Sequence, residues 1–493
     1  MLSERAKSLR PAVQAAFDAG GLDAICELIA ALIAPLEARI AELEKRLNMT
    51  SSNSSKPPSS DGLKRKTKST RPNNTGRKPG RKPGRKPGRK PGGQPGHTGQ
   101  TLLQSPAPDV THSIPLDHCP ICRTDLRDQP VASEEKRQVF DLPPVAMEVT
   151  EHRAECKWCP TCAKWVTAPF PAQLIAPVQY GDGMQSLMSC LNIAQLLPCE
   201  RVADVCQDLF HHRPSAGSVV RAVARCAEKV APAVDRIAGV LREANQLHAD
   251  ETGVRCAGRT QWIHVASTAT HTLYSPSLKR GRQGFEVGGV LPAYCGNLIT
   301  DFWGSYDTLE RCDHSRCNAH LLRELTSFSE DGHRWAEGLI AALLALKQAA
   351  DDARQQEQRH ITPAILAPLL ADYDHCVREG LQTHPELAKL PGKRGRAKQS
   401  KARNLLIRMS EKREEVIRFV HDLEVPFDNN QAERDLRMIK VQQKVSGCFR
   451  SERGARLFCA IRSYLSTSRK HGVNLMDSIQ SAFAGRPLDF APE

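Results

Sequence analysis

The sequence lacks a charged, apolar leader at its start and lacks any apolar run long enough to span a bilayer. Its most apolar opening stretch, DAICELIAALIAPLEARI, is broken by Glu27, Pro35 and Glu37. No membrane partner is expected, and the expected compartment is a reducing cytosol. There, 17 cysteines read as reduced thiols plus a metal site, not as a disulfide framework. Acid is nearly missing from one stretch. Lys56–Gln100 holds fourteen Lys and Arg with a single acidic residue, Asp61, while the other residues balance 55 basic against 54 acidic. The net charge of +14 is therefore a local device. A dense, unpaired basic tract favours polyanions, because binding releases condensed counterions. Nucleic acid is the expected partner, and a solubilising or membrane-surface tail is the alternative.

The composition changes several times along the chain. In residues 1–50, Ile29, Ile33, Leu36, Ile40, Leu43 and Leu47 repeat in steps of four and three, the seam of a coiled-coil dimerisation helix. Pro35 inside the seam counts against an unbroken helix, and a single amphipathic helix packed on its own chain is the alternative. Residues 51–108 are expected to form a disordered basic arm: SSNSSKPPSSD is too polar to bury a core, and GRKP then repeats four times from Gly76 to Pro91. Its adjacent cations, Arg77 and Lys78, Arg81 and Lys82, Arg85 and Lys86, and Arg89 and Lys90, are the candidate DNA contacts. Such an arm can insert Arg into a narrow minor groove. Residues 172–245 read as helical. The pair ERVADVCQDLF and SVVRAVARCAEKV around HHRPSAG has the proportions of a helix-turn-helix, or of an ordinary helical hairpin.

Residues 109–171 are expected to be a zinc-binding module. Cys119-Pro-Ile-Cys122 and Cys159-Pro-Thr-Cys162 are two Cys-x-x-Cys pairs, and two such turns complete a tetrahedral structural Zn²⁺ site. Cys156, His112 and His118 remain open as replacement ligands. The gap between the pairs holds a candidate hairpin, RQVFDLPPVAMEVTEHRAEC.

The rest is read as a catalytic core interrupted by helices, with a first part at residues 246–330, a helical insertion at 331–423 and a catalytic helix with a helical C-terminal region at 424–493. In QLHADETGVRC, strand alternation puts Leu247 and Ala249 on one side and His248, Asp250 and Thr252 on the other. TQWIHVASTA and THTLYSP read as further strands, GFEVGGVLPAYC as a helix, and NLITDFWGSYD as a buried strand ending at Asp301. The order strand, strand, strand, helix, strand is that of a ribonuclease H-like fold, in which the first and fourth strands are neighbours. Far downstream a helix begins in VPFDNNQAERDLR, capped by Asp428 or Asn429, with Ala432, Leu436 and Ile439 as its apolar stripe and Glu433 beside it. Asp250, Asp301 and Glu433 are the three carboxylates that a pair of Mg²⁺ (or Mn²⁺) ions needs for phosphoryl transfer. The overall expectation is a multidomain α+β chain.

These motifs resemble the insertion-sequence sixty-six family of bacterial transposases, of the TnpC type with DDE chemistry. The resemblance rests on NSSKPPSSD, the two Cys-x-x-Cys pairs, HADET, LITDFWGSYD, VPFDNNQAERDLR and KVSGCFRSERGARLFCAIRSYLSTSRKHG, and covers nearly the whole chain. It implies that Asp250, Asp301 and Glu433 are catalytic. It implies cleavage at the element's ends, leaving a 3′-OH that then attacks target DNA. The family's Cys-x-x-His element corresponds to Cys317-Asn-Ala-His320, candidates for an indirect role beside the site. Arg434 and Arg437 are candidate phosphate contacts. Where a Gly-Tyr pair is common after the second Asp, this chain has Phe302-Trp303. The implied partners are double-stranded DNA (terminal inverted repeats and target), further copies of the chain as a homodimer or higher oligomer, and accessory proteins of the same element. The implied location is the bacterial cytoplasm, at the nucleoid. A nuclease without strand transfer and a non-catalytic DNA-binding regulator are the rival readings.

Overall fold

The computed structural model describes residues 102–142, 146–388 and 397–490, with scattered positions between 11 and 43. The GRKP arm, with its eight candidate cations, lies outside the described residues, as does Leu47 of the N-terminal seam. The described members of that seam, Ile29, Ile33, Leu36, Ile40 and Leu43, are helical, and their side chains are exposed. The described residues divide between two compact units, Met1–Lys64 with Arg153–Glu493, and Arg65–His152.

In the second unit the chain is mostly turn and extended backbone. One bridge pairs His118 with Asp125, closing a turn in which Cys119 N–H donates to Thr124 O at 2.9 Å. Val131, Val139, Leu142 and Val149 are exposed, so little apolar burial holds this segment. The hairpin expected within Arg137–Cys156 does not form among the described residues. The strand pair instead follows it, as β1 (Cys156–Cys159) and β2 (Lys164–Thr167), joined antiparallel in the larger unit.

The larger unit is built on a five-stranded sheet of β3 (Gln246–Cys256), β4 (Arg259–Ser267), β5 (Thr272–Ser277), β6 (Asn297–Thr300) and β7 (Asp313–Arg316), in the order β5-β4-β3-β6-β7. The first three strands form an antiparallel meander, and β6 and β7 join β3 in parallel. Leu247, Ala249, Ile263, Val265, Leu298 and Ile299 are buried, as expected for strands covered on both faces. The helix expected between β5 and β6 breaks into short turns, Arg282–Phe285, Glu286–Gly288 and Leu291–Ala293. Two physical causes are visible. Gly289 sits at φ +64°, and Pro292 supplies no amide hydrogen.

Between β2 and the sheet lie α1 (Asp182–Ser189), a π-helical turn at Cys190–Ala194, α2 (Cys199–Phe210) and α3 (Ala216–Glu243). His211 ends α2 in the left-handed conformation, and Ser215 caps α3 by accepting from Ser218 N–H. Met188, Val202, Cys206, Val219 and Ala222 form their small shared core. After β7 come α4 (Asn318–Glu330), α5 (Arg334–Gln355), α6 (Pro363–Thr383), α7 (Lys401–Glu411) and α8 (Arg413–His421). These helices bury a second core, in which Leu321, Leu339, Leu343, Leu346, Leu405 and Ile417 are fully enclosed. The chain then returns to the sheet with α9 (Asn430–Ser446), α10 (Glu452–Lys470) and α11 (Leu475–Phe483). Ala432, Leu436 and Ile439 turn the apolar stripe of α9 into the core that the sheet shares with α3 and α10. At the far end of β3, Phe449 extends the sheet through a bridge to Cys256.

Candidate active site

The parallel register of β3 and β6 pairs His248 with Ile299. Two residues further along each strand lie Asp250 and Asp301, one on β3 and the other just past the end of β6. Equal steps from a paired position keep two parallel chains level and on the same face, with the chains about 4.8 Å apart. Asp301 Oδ1 accepts from Trp303 N–H at 2.9 Å, which folds the chain sharply after the strand. Asp250 Oδ1 accepts from Glu251 N–H at 2.7 Å.

Glu433 arrives on the first turn of α9, where a carboxylate is favoured by the helix dipole. Asn429 places that turn. Its side-chain Nδ2 donates to Ala249 O at 2.8 Å, and its Oδ1 meets His248 Nδ1 at 2.8 Å. Its backbone N–H donates to Cys317 Sγ at 3.1 Å. Asn429 thus stands at the N-cap of α9, as expected, but its side chain makes no capping hydrogen bond and holds the start of the helix against β3. Asp428 takes the free amide, with Oδ1 accepting from Asn430 N–H at 2.9 Å. Lys440, two turns on, donates to Gly253 O at 2.9 Å and fastens the helix at a second point.

The charges of the neighbouring acids act on Asp250. Burial raises the Asp250 carboxyl well above the ordinary carboxylate range, and the negative charges of Glu251, Asp301 and Glu433 push the same way. Glu251, the next residue on β3, points to the opposite face. There Arg280 Nε donates to its Oε1 at 2.8 Å, and the Tyr306 hydroxyl donates to its Oε2 at 2.6 Å. Burial raises its pKa against those two partners. Arg280 is fixed over the rings of Trp303, 4.1 Å from the centroid, and Trp262, at 4.8 Å. The aromatic retained after Asp301 therefore packs the guanidinium that neutralises Glu251.

On the other side of Glu433, Arg323 Nη2 donates to Oε1 at 3.1 Å, and His320 Nε2 lies 3.6 Å from the same oxygen. Cys317 stands at the N-terminal boundary of α4, with His320 in its first turn. Burial lowers the His320 pKa and pushes the Cys317 thiol up to about 12. Arg434 and Arg437 project from the exposed side of α9, and Arg434 Nη2 donates to Gln431 Oε1 at 3.1 Å. Arg280, Tyr306 and Arg323 escaped the sequence reading, and Asn429 entered it only as a possible helix cap. Each works through a partner distant in sequence, and only the alternation of β3, which turns Glu251 away from Asp250, hinted at an acid needing compensation.

The cysteine pairs are described one at a time. Cys122 Sγ lies 3.2 Å from Thr124 Oγ1, and hydrogen bonds from Thr124 bring its thiol down to about 7. In the hairpin of β1 and β2, the intervening turn carries Cys162. Hydrogen bonding from Cys162 lowers the Cys159 pKa. Both turns thus favour thiolate, the form that binds metal. Cys156 and Cys159 are three apart on β1, and odd spacing on a strand sends side chains to opposite faces.

Comparison with known families fits this layout. A mixed α+β, DNA-processing protein with a zinc-finger-type domain ahead of its catalytic domain is the class these matches define. Residues 177–457 match the Transposase IS66 family, and residues 117–163 match the zinc-finger binding domain of transposase IS66. Residues 10–102 match a family of unknown function. With more than half of its residues inside the first match, the chain belongs to the IS66 family of transposases. No curated relative matches it. Among the described residues, no helix is long and apolar enough to cross a membrane.

Proposed function

We propose that this chain is a DDE-type polynucleotidyl transferase that cuts DNA at the ends of its insertion sequence and joins those ends to target DNA. What supports this reading is that Asp250 lies on β3, Asp301 just after the neighbouring β6 and Glu433 on the first turn of α9, with the charges of Asp301 and Glu433 both acting on Asp250. The strand order β5-β4-β3-β6-β7, with an antiparallel meander leading into parallel strands, supports a ribonuclease H-like catalytic core carrying a helical insertion.

The donor set fits hard divalent cations. Asp250 is buried among other carboxylates that raise its pKa, and such a cluster calls for positive charge from outside the chain. Asp250, Asp301 and Glu433 would hold two Mg²⁺ (or Mn²⁺) ions, which activate an attacking oxygen and stabilise a leaving one. The chain's own groups do the positioning. Asn429 sets the distance from Glu433 to β3, Arg280 keeps the charge of Glu251 compensated, and Arg323 steadies the Glu433 carboxylate from the far side. Arg434 and Arg437, exposed on the same helix, would contact phosphate oxygens.

The other segments are assigned to DNA and assembly. Cys119, Cys122, Cys159 and Cys162 are the proposed ligands of structural Zn²⁺; matching of residues 117–163 to a zinc-finger domain supports this. Residues 172–245, with α2 and α3 as a helix-turn-helix, and the GRKP arm are the proposed DNA-binding elements. The exposed seam from Ile29 to Leu43 supports pairing of protomers through residues 1–50. The protein is proposed to act on the bacterial nucleoid, with accessory proteins of its element.

The test uses purified protein, Mg²⁺ and a labelled duplex ending in the element's terminal repeat. The account expects a nick, then a joined product carrying the 3′-OH donor. Loss of metal stabilisation worth several kcal/mol slows cleavage by about 10³-fold or more. Asp250→Asn, Asp301→Asn and Glu433→Gln are each expected to show that loss while binding the duplex normally. A nick without joining points to a plain nuclease, and cleavage that persists in Glu433→Gln refutes the third acid.

A further inference from the structure

Cys317 Sγ, a ring nitrogen of His320 and a carboxylate oxygen of Glu433 all lie within 4.8 Å of one another, the one such group of three potential ligands among the described residues. We propose that these residues form a second soft-metal site, for Zn²⁺ or an ion like it. Binding there would draw Glu433 away from the hard-metal pair and switch the enzyme off. The binding claim stands on the cluster itself; the switching claim rests on Glu433 being a catalytic ligand.

The geometry suits the ion. Two ligands about 2.0–2.2 Å from a tetrahedral zinc sit about 3.3–3.6 Å apart. His320 Nε2 and Glu433 Oε1 are 3.6 Å apart already. The ligands come from fixed places. Cys317 and His320 open α4, whose first residue is tied by Asn318 N–H to Phe427 O at 3.1 Å, and Asn429 N–H holds Cys317 Sγ at 3.1 Å. His320 Nδ1 is buried with no hydrogen-bond partner, so no competing bond fixes the orientation of the ring.

The chemistry of the donors separates the two metals. A thiolate, an imidazole and a carboxylate suit zinc and leave its fourth position open. Mg²⁺ takes oxygen ligands and gains little from sulfur. Thiolate and carboxylate together carry two negative charges, matching the ion, and the Cys317 proton leaves to solvent on binding. Without that ion, Arg323 Nη2 supplies positive charge to Glu433 at 3.1 Å, and it must swing aside when the metal enters. Glu433 would therefore be shared: its oxygen lies within 4.8 Å of the Cys317 and His320 donors, and its charge also acts on Asp250.

The experiment takes full-length protein whose cysteine module is already loaded, titrates it with Zn²⁺ in excess Mg²⁺, removes free ion and counts zinc per chain by elemental analysis. Wild type is expected to hold one zinc more per chain than Cys317→Ser or His320→Asn, and Asp250→Asn is expected to keep that extra ion. Cadmium added in place of zinc should give a thiolate absorption band that Cys317→Ser lacks. Cys317→Ser is nearly isosteric, and if it fails to fold, His320→Asn carries the comparison. Equal zinc content in wild type and the folded variants overturns the site. Inhibition of cleavage by Zn²⁺ should need at least tenfold more ion in Cys317→Ser, and an unchanged inhibition curve overturns the switch. The zinc count is decisive even if no cleavage is ever seen, so the two claims fail separately.

Discussion

Replacing Asn429 with alanine removes the clasp that holds the start of α9 against β3. The side chain is 1% exposed and makes two 2.8 Å contacts, to His248 Nδ1 and Ala249 O. Each such bond contributes about 0.5–1.5 kcal/mol net, and about 1–3 kcal/mol when its loss strands a buried partner. Loss of both is therefore expected to cost about 2–4 kcal/mol, lowering Tm by about 2–4 °C per kcal/mol for a unit of this size. The larger effect is on chemistry. With the clasp gone, the first turn of α9 is free to shift, and displacing a reacting group by about 1 Å can cost about 10²-fold in rate. The assay pairs thermal unfolding with Mg²⁺-dependent nicking of a terminal-repeat duplex. The expected result is a modest fall in Tm, a large fall in nicking and unchanged duplex affinity. Stability within about 0.5 kcal/mol of wild type, with nicking intact, would refute the idea that Asn429 positions Glu433.

Two further outcomes follow from the electrostatics. Asp250 has its folded-state pKa raised by burial and by neighbouring carboxylates, so its contribution to stability is complete below the ordinary carboxylate pKa and is lost as pH rises through the raised value. Tm measured without added divalent ion should therefore fall across that window, and Mg²⁺ should restore it; a Tm that rises there contradicts the assignment. Arg280→Met keeps the contact with Trp262 and Trp303 but strips the charge from a Glu251 whose side chain is 2% exposed. Because Arg280 is itself 41% exposed, the cost is discounted to about 2 kcal/mol from the full penalty of breaking a buried pair. The double variant with Glu251→Gln should recover part of it, and no loss in the single variant would show that Glu251 is protonated instead.

What the sequence revealed and what it hid follow the range of the interactions. The alternation in QLHADETGVRC and the apolar run before Asp301 depend on neighbours two residues apart, and both strands are where that pattern puts them. The stripe of Ala432, Leu436 and Ile439 likewise follows helical spacing and is buried. Hidden from the sequence was everything joining these pieces. Asn429 looks like an ordinary helix cap, and only the approach of β3, some 180 residues earlier, turns its side chain inward. Arg323 reaches Glu433 across 110 residues and Arg280 reaches Glu251 across 29. The failed hairpin within Arg137–Cys156 shows the opposite limit. Its local pattern suits a strand, yet its described residues offer no buried face to repay the pairing, and a hairpin forms instead where Trp158 stands opposite Trp165.

The central claim is spatial: residues far apart in sequence surround the same cations. Iron(II) placed in those positions, with ascorbate and peroxide, generates radicals that cut the nearby backbone. The account predicts cuts at three places, around Asp250, Asp301 and Glu433, all suppressed together by excess Mg²⁺ and all lost in Asp250→Asn. Cuts around Asp250 and Asp301 with none near Glu433 would contradict it.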